Sequence, residues 1–193
     1  MLRIGVVTGS TRPNRKGEEV ARWILGFAEK RGDARYELVD IKDYNLPMLD
    51  EPRPPSLGNY VHEHTRAWSA RVASFDGYVF VTPEYNHSIS GALKNAIDFV
   101  FHEWANKAAG FVSYGSTGGV RAVEHLRGIL GEIQIADVRG HVSLSTRTDW
   151  IDRTIFKPSE HHLVEVDRML GQVVAWSGAM KTLRVPAAAT AAA

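Results

Sequence analysis

Five short apolar runs recur along this chain. Each passes into a polar loop and then into a stretch whose apolar residues fall at helical spacing, an alternation that points to a parallel sheet covered by helices on both faces. The clearest run is Gly77-Tyr78-Val79-Phe80-Val81-Thr82, which Pro83 stops. Residues 2 to 8, Tyr36 to Ile41, Ala108 to Tyr114 and about Ile133 to Leu144 supply the others, and Asp137 and Gly140 inside the last predict a break or bulge. The first helix, Glu18 to Lys30, aligns Val20, Ile24, Phe27 and Ala28, with Gly32 placed to end it. A second carries Trp68 and Val72, a third runs from Gly91 to about Phe101, and a fourth, Val120 to Leu130, spaces Val123, Leu126 and Leu130 for burial. Leu163, Val166, Leu170, Val173 and Val174 mark the last, to about Leu183. The expected fold is α/β: one domain over residues 1–185, a five-stranded parallel sheet of order 2-1-3-4-5 between two helical layers. The alanine-rich stretch 186–193 is expected to be a disordered tail.

Ligands in such sheets bind outside the carboxyl ends of the strands, where the strand order reverses. The loops after strands 1, 3 and 4 therefore matter most. The first reads Gly9-Ser10-Thr11-Arg12-Pro13-Asn14-Arg15-Lys16-Gly17. Ser10 and Thr11 offer hydroxyls, Arg12, Arg15 and Lys16 offer charge, and the backbone from Asn14 to Glu18 offers free N–H groups at a helix start, which together suit a phosphate. The loop matches neither G-x-G-x-x-G nor the Walker pattern, so a mononucleotide phosphate is a better guest than a dinucleotide. In isolation the same residues would be a solvated turn, and it is the position after the first strand that favours an anion site.

The second loop, Pro83-Glu84-Tyr85-Asn86-His87-Ser88-Ile89-Ser90-Gly91, combines a rigid entry, a residue tolerant of unusual dihedrals and two rings that can pack on a planar ligand. A plain helix entry capped by Ser88 or Ser90 explains it equally well. The third, Tyr114-Gly115-Ser116-Thr117-Gly118-Gly119, lets backbone approach a ligand closely, or merely turns. Residues 42 to 59 hold Pro47, Pro52, Pro54, Pro55 and Gly58 and read as a long loop that either walls a ligand's open face or crosses the surface passively.

Composition narrows the chemistry. A net charge of +1 offers no long-range field for nucleic acid or an anionic membrane, so neither is an expected partner. The absence of cysteine removes disulfides, thiolate catalysis and thiolate metal sites, so redox work would need a bound cofactor. The first apolar run is too short for a signal peptide and no window suggests a membrane span, so a cytoplasmic protein is expected. Two histidine pairs, His62 with His64 and His161 with His162, lack i, i+4 spacing and a completing carboxylate motif; they are read as surface residues, and no metal is expected.

Taken together, Gly9-Ser10-x-Arg12, then Pro83-Glu84-Tyr85-Asn86-x-Ser88-x-x-Gly91-x-Leu93-Lys94-Asn95-x-Ile97-Asp98, then Ser113-Tyr114-Gly115 through Gly119, resemble the NADPH-dependent FMN reductase family of flavodoxin-like proteins. The match covers roughly residues 1 to 183. It implies prosthetic FMN, NADPH or NADH as cosubstrate, a homodimer or homotetramer, and ping-pong hydride transfer to a quinone, azo compound or free flavin, with flavin N5 and no protein residue carrying the chemistry. By that resemblance Ser10 and Arg12 hold the FMN phosphate, and Pro83, Glu84, Tyr85 and Asn86 line ribityl and ring. Ser113, Tyr114, Gly115 and Gly118 belong to the turn at the pyrimidine edge. Many relatives have Ser and Asn where this chain has Arg15 and Gly17, so the remaining phosphate contacts are assigned to Arg15, Lys16 and the backbone at Gly17. Lys94, Asn95 and Asp98 are read as structural or as contacts to another subunit. A flavodoxin-type electron carrier, or a flavin-binding protein without turnover, is the alternative.

Overall fold

The computed structural model describes residues 1–184. The stretch 186–193, expected to be a disordered tail, lies outside the described residues. Strands β1 (Arg3–Thr8), β2 (Arg35–Asp40), β3 (Gly77–Pro83), β4 (Lys107–Gly115) and β5 (Ile135–Ser145) form one parallel sheet in the order β2-β1-β3-β4-β5. This is the flavodoxin-like order, with its reversal between β1 and β3. Among the described residues no helix is long and apolar enough to cross a membrane.

Period-two alternation divides the core. Val7, Tyr78, Phe80, Ala109 and Phe111 point to one face, which α2 (Glu63–Ala73), α3 (Gly91–Asp98) and α4 (Val120–Glu132) cover. Ile4, Val6, Val79, Val81, Val112 and Tyr114 point to the other, under α1 (Gly17–Ala28) and α5 (His161–Lys181). Gly32, at φ 69°, closes the turn that follows α1, as its position suggested.

Three departures have physical causes. The third helix stops at Asp98 rather than Phe101 because buried indoles take its last carbonyls: Trp68 Nε1 donates to Ala96 O at 2.7 Å and Trp104 Nε1 to Ile97 O at 3.1 Å. The break expected at Asp137 and Gly140 is a bulge. Ala109 pairs with Asp137 but Phe111 with His141, and Gln172 Oε1 accepts the Gly140 N–H at 2.8 Å. A small hairpin, β6 (Trp150–Ile151) with β7 (Ile155–Phe156), was not expected. It turns at Asp152 and Arg153, both at positive φ, and packs Trp150 on Phe156 and Phe156 on Trp23.

The long loop after β2 contains two short 3-10 turns, Ile41–Tyr44 and Pro55–Leu57. Asn95 fastens it to α3: its Nδ2 donates to Pro47 O at 2.6 Å and its Oδ1 accepts from Leu49 N at 3.0 Å. The structural role read for Asn95 is thus a clamp on this loop.

Candidate functional site

The loops after β1, β3 and β4 meet at the carboxyl edge of the sheet and hold one another in place. Gly9 N–H donates to Val81 O at 2.8 Å, and Ser90 Oγ donates to Gly9 O at 2.5 Å while accepting from Leu93 N–H at 3.0 Å as the N-cap of α3. Ser90 therefore serves as the cap foreseen for this loop and also anchors the first one. Ser10 Oγ lies 3.1 Å from Tyr85 Oη, spanning the crevice.

The phosphate loop is unevenly equipped. Ser10 is buried, with its Oγ accepting a long contact from Arg12 N–H at 3.4 Å, and Arg12 is exposed with no acidic partner among the described residues. Arg15 is drawn back: its guanidinium pairs with Asp40 at the end of β2 and with Glu18, leaving Nε buried and without a partner. Lys16 turns toward the hairpin, donating to Arg153 O and lying over the Trp150 ring, so its charge borders the loop from outside. The N–H groups of Thr11, Asn14, Arg15 and Lys16 have no acceptor among the described residues.

Gly17 begins α1 where a side chain cannot fit, because a Cβ there would sit 2.7 Å from Tyr114 Oη and 3.5 Å from Thr8 Cγ2. Thr8 Oγ1 and Tyr114 Oη are both buried without a hydrogen-bond partner. Burial, with Tyr85 nearby, pushes the Tyr114 hydroxyl above its ordinary range, so it stays a neutral donor. Leaving a buried polar group unpaired costs about 1–3 kcal/mol. Three such atoms gathered at one helix start, Thr8 Oγ1, Arg15 Nε and Tyr114 Oη, fit a group rich in acceptor oxygens.

The ring loop is a tight reversal. Tyr85 and Ser88 exchange backbone hydrogen bonds of 2.9 and 3.1 Å around Asn86 (φ 48°) and His87 (φ 74°). Asn86 tolerates this conformation, whereas for His87 it is a strain of about 1–3 kcal/mol. Glu84 is placed differently from a cofactor contact. Its N–H donates to Tyr114 O at 3.1 Å, and its buried carboxylate pairs with Arg121 and accepts from Arg121 N–H at 3.2 Å, closing the start of α4. Pro83, the last residue of β3, pairs in register with Tyr114.

In the third loop Ser113 is fully buried, not crevice-lining. Its hydroxyl donates to Gly118 O at 2.6 Å and meets His141 Nε2 at 2.7 Å. Burial, then the charge of Arg127, lowers His141 to about 4, so near neutrality its ring is uncharged and its Nε2–H donates to Ser113. Ser143 Oγ adds a bond of 3.1 Å to the same carbonyl, and Gly118 N–H returns to Gly115 O at 3.2 Å. Gly118 and Gly119 (φ 78° and 76°) are thereby fixed as a scaffold, while the N–H groups of exposed Ser116 and Thr117 have no acceptor among the described residues. The sequence gives no cue to the parts played by Arg121 and His141, since each acts through a distant partner, or to Thr8, whose hydroxyl is buried without one.

A cleft of ≈ 310 Å³ lies beside the phosphate loop, between Thr11, Lys42 and Leu46 on one side and Ala92, Asn95 and Ala96 of α3 on the other. The proline-rich loop thus faces Thr11 and α3.

The sequence matches the model of the NADPH-dependent FMN reductase family over residues 2–149. It is 41% identical over 128 residues to an NAD(P)H-dependent FMN reductase of a Nectria species, covering 63% of this chain and 64% of that one, just under two thirds of the relative's length. It is 35% identical over 175 residues to an NAD(P)H-dependent FMN reductase of Schizosaccharomyces pombe, covering 88% of each. Other relatives are named quinone reductases. Among solved structures, FerB, a flavoenzyme NAD(P)H:(acceptor) oxidoreductase from Paracoccus denitrificans, superposes with TM-score 0.74 at 21% identity, over 93% of this chain and 99% of that one, a likeness of fold. The family model over residues 2–149 and the relative covered over 88% of its length place the chain: it belongs to the NADPH-dependent FMN reductase family, oxidoreductases that work with FMN and NAD(P)H.

Proposed function

We propose that the crevice between the loops after β1, β3 and β4 holds one FMN noncovalently, and that the chain reduces quinones, azo compounds or free flavin at the expense of NADPH or NADH. The observation that carries this reading is the group of unpartnered buried donors, Thr8 Oγ1, Arg15 Nε and Tyr114 Oη, at the first turn of α1. Ser10, Arg12 and the free N–H groups of Thr11, Asn14, Arg15 and Lys16 complete the phosphate cradle, and the N-terminal end of α1 adds its partial positive charge. Arg15 contributes Nε while Asp40 fixes its far end, and Lys16 contributes charge from the hairpin side.

Held there by Ser10, Arg12 and the first turn of α1, FMN would supply the redox chemistry, hydride transfer between nicotinamide and acceptor in a ping-pong order. The protein's task is positioning. Tyr85, held by Ser10, and Asn86 set one wall, and the free N–H groups of Ser116 and Thr117 form an electropositive edge that favours negative charge nearby. His141 and Ser143 keep that edge in place through Ser113 and Gly118.

A homodimer or homotetramer accompanies this reading. It is supported by exposed Met48, Leu49, Leu57 and Val61 along the proline-rich loop. Mixing the FMN-loaded protein anaerobically with NADPH tests the activity: rapid loss of flavin absorbance, restored by a quinone over many turnovers, is expected. Bound flavin that NADPH does not bleach would make the chain a carrier or sensor instead.

A further inference from the structure

We propose that the start of α5 is a binding site for a divalent transition ion of the zinc class, made by His161, His162 and Glu165. His162, read from the sequence as a surface residue, is instead 5% exposed and set between two carboxylates. Its Nε2 lies 3.1 Å from Asp149 Oδ1 and its Nδ1 lies 2.7 Å from Glu165 Oε2. Asp149 is itself buried and saturated as an acceptor: Ser159 N–H donates to Oδ1 at 3.2 Å, and Ser145 N–H at 2.8 Å and Thr148 Oγ1 at 3.2 Å donate to Oδ2. An acceptor-only carboxylate requires a proton on His162 Nε2, and this fixes the ring so that Nδ1 faces Glu165.

A carboxylate that orients a histidine by one nitrogen while the other nitrogen binds an ion is the recurrent outer shell of protein metal centres. His161 supplies the third donor, its ring centroid 4.0 Å from that of His162. One ligand atom from each of His161, His162 and Glu165 lies within 4.8 Å of the others, and a tetrahedral zinc at about 2.0–2.1 Å from each would set its donors roughly 3.3 Å apart. The adjustment needed is a rotation of the exposed His161 and a small opening of the His162–Glu165 contact, so that the ion lies between the two ligand atoms. Two imidazoles and one carboxylate suit zinc over magnesium or calcium, and water fills the fourth position. The site would lock the first turn of α5 to the segment of Asp149 that leads into the hairpin bordering the phosphate loop.

The test uses the FMN-loaded protein after chelator treatment and dialysis, titrated with zinc sulfate by calorimetry and followed by thermal melting. One equivalent is expected to bind, raising Tm by about 5–10 °C at a hundredfold excess over Kd. His161→Ala and Glu165→Gln change exposed or half-exposed side chains and should fold, keep FMN and lose zinc affinity at least tenfold. A double variant, His62→Ala with His64→Ala, removes the stacked pair elsewhere and should bind zinc as the wild type does. Absence of binding to the wild type, or equal affinity in the His161 and Glu165 variants, would overturn the proposal.

Discussion

The hydroxyls of Ser10 and Tyr85 lie 3.1 Å apart and tie the loop after β1 to the loop after β3, two segments 75 residues apart in sequence. Either may donate, and Ser10 also accepts from Arg12 N–H, so the contact sets the width of the crevice and the course of the phosphate loop together. Tyr85→Phe keeps the ring and removes the bond. FMN affinity should fall about 2- to 10-fold, the worth of one hydrogen bond near 0.5–1.5 kcal/mol, with little change in apoprotein Tm. Quenching of flavin fluorescence on titration measures it.

Arg12 is exposed and free of acidic partners among the described residues, unlike Arg15. Arg12→Ala should weaken FMN binding by roughly 10- to 100-fold, the range of a charge-assisted bond of about 1.5–3 kcal/mol, while the melting curve of the apoprotein is unchanged. Arg15→Ala should also lower apoprotein stability, because it leaves the largely buried Asp40 carboxylate unpaired. Comparing Kd with Tm across the two variants separates binding from support.

At Gly17 the expected result depends on a second residue. Gly17→Ala puts a methyl group 2.7 Å from Tyr114 Oη and should cost about 1–3 kcal/mol of stability together with FMN retention. Tyr114→Phe removes that oxygen and should recover the stability in the double variant but not the affinity, since the hydroxyl is one of the proposed phosphate donors. A double-mutant cycle in denaturant and in FMN titration reads both.

Lys107 gives a pH dependence remote from the site. Its Nζ is buried at the start of β4, donating to Val72 O at 2.8 Å and meeting Tyr78 Oη at 3.1 Å, and burial lowers its pKa to about 7 against roughly 10.4 for a free lysine. Between those values the unfolded chain binds the extra proton, so stability should rise as pH increases from about 7 toward 10. Above that range the buried tyrosines, Tyr78 among them, whose folded pKa values are raised, act in the opposite sense. Urea titrations of the wild type and of Lys107→Met from pH 6 to 10 should show the slope in the former and its loss in the latter.

Much of the architecture was legible because it rests on local signals. Alternating apolar runs fixed the strands, and Pro83 and the Gly118–Gly119 pair marked where loops begin or turn. The location of the crevice followed from strand order. Side-chain direction within it did not. Glu84 is claimed by Arg121, Ser113 by His141 and Lys16 by the hairpin, partners that lie 28 to 137 residues away and leave no local pattern. The hairpin is not legible in the sequence because strands of two residues have no periodicity. The burial of His162 leaves no local pattern for a related reason, since its partner Asp149 belongs to a segment with no periodicity of its own.

Titration of the purified, flavin-free chain with FMN, followed by fluorescence quenching, tests the central claim most directly. One equivalent of FMN should bind, with affinity reduced in both Arg12→Ala and Tyr114→Phe. Folded protein that leaves FMN fluorescence unquenched, or that binds FMN with the same affinity in both variants, would contradict it.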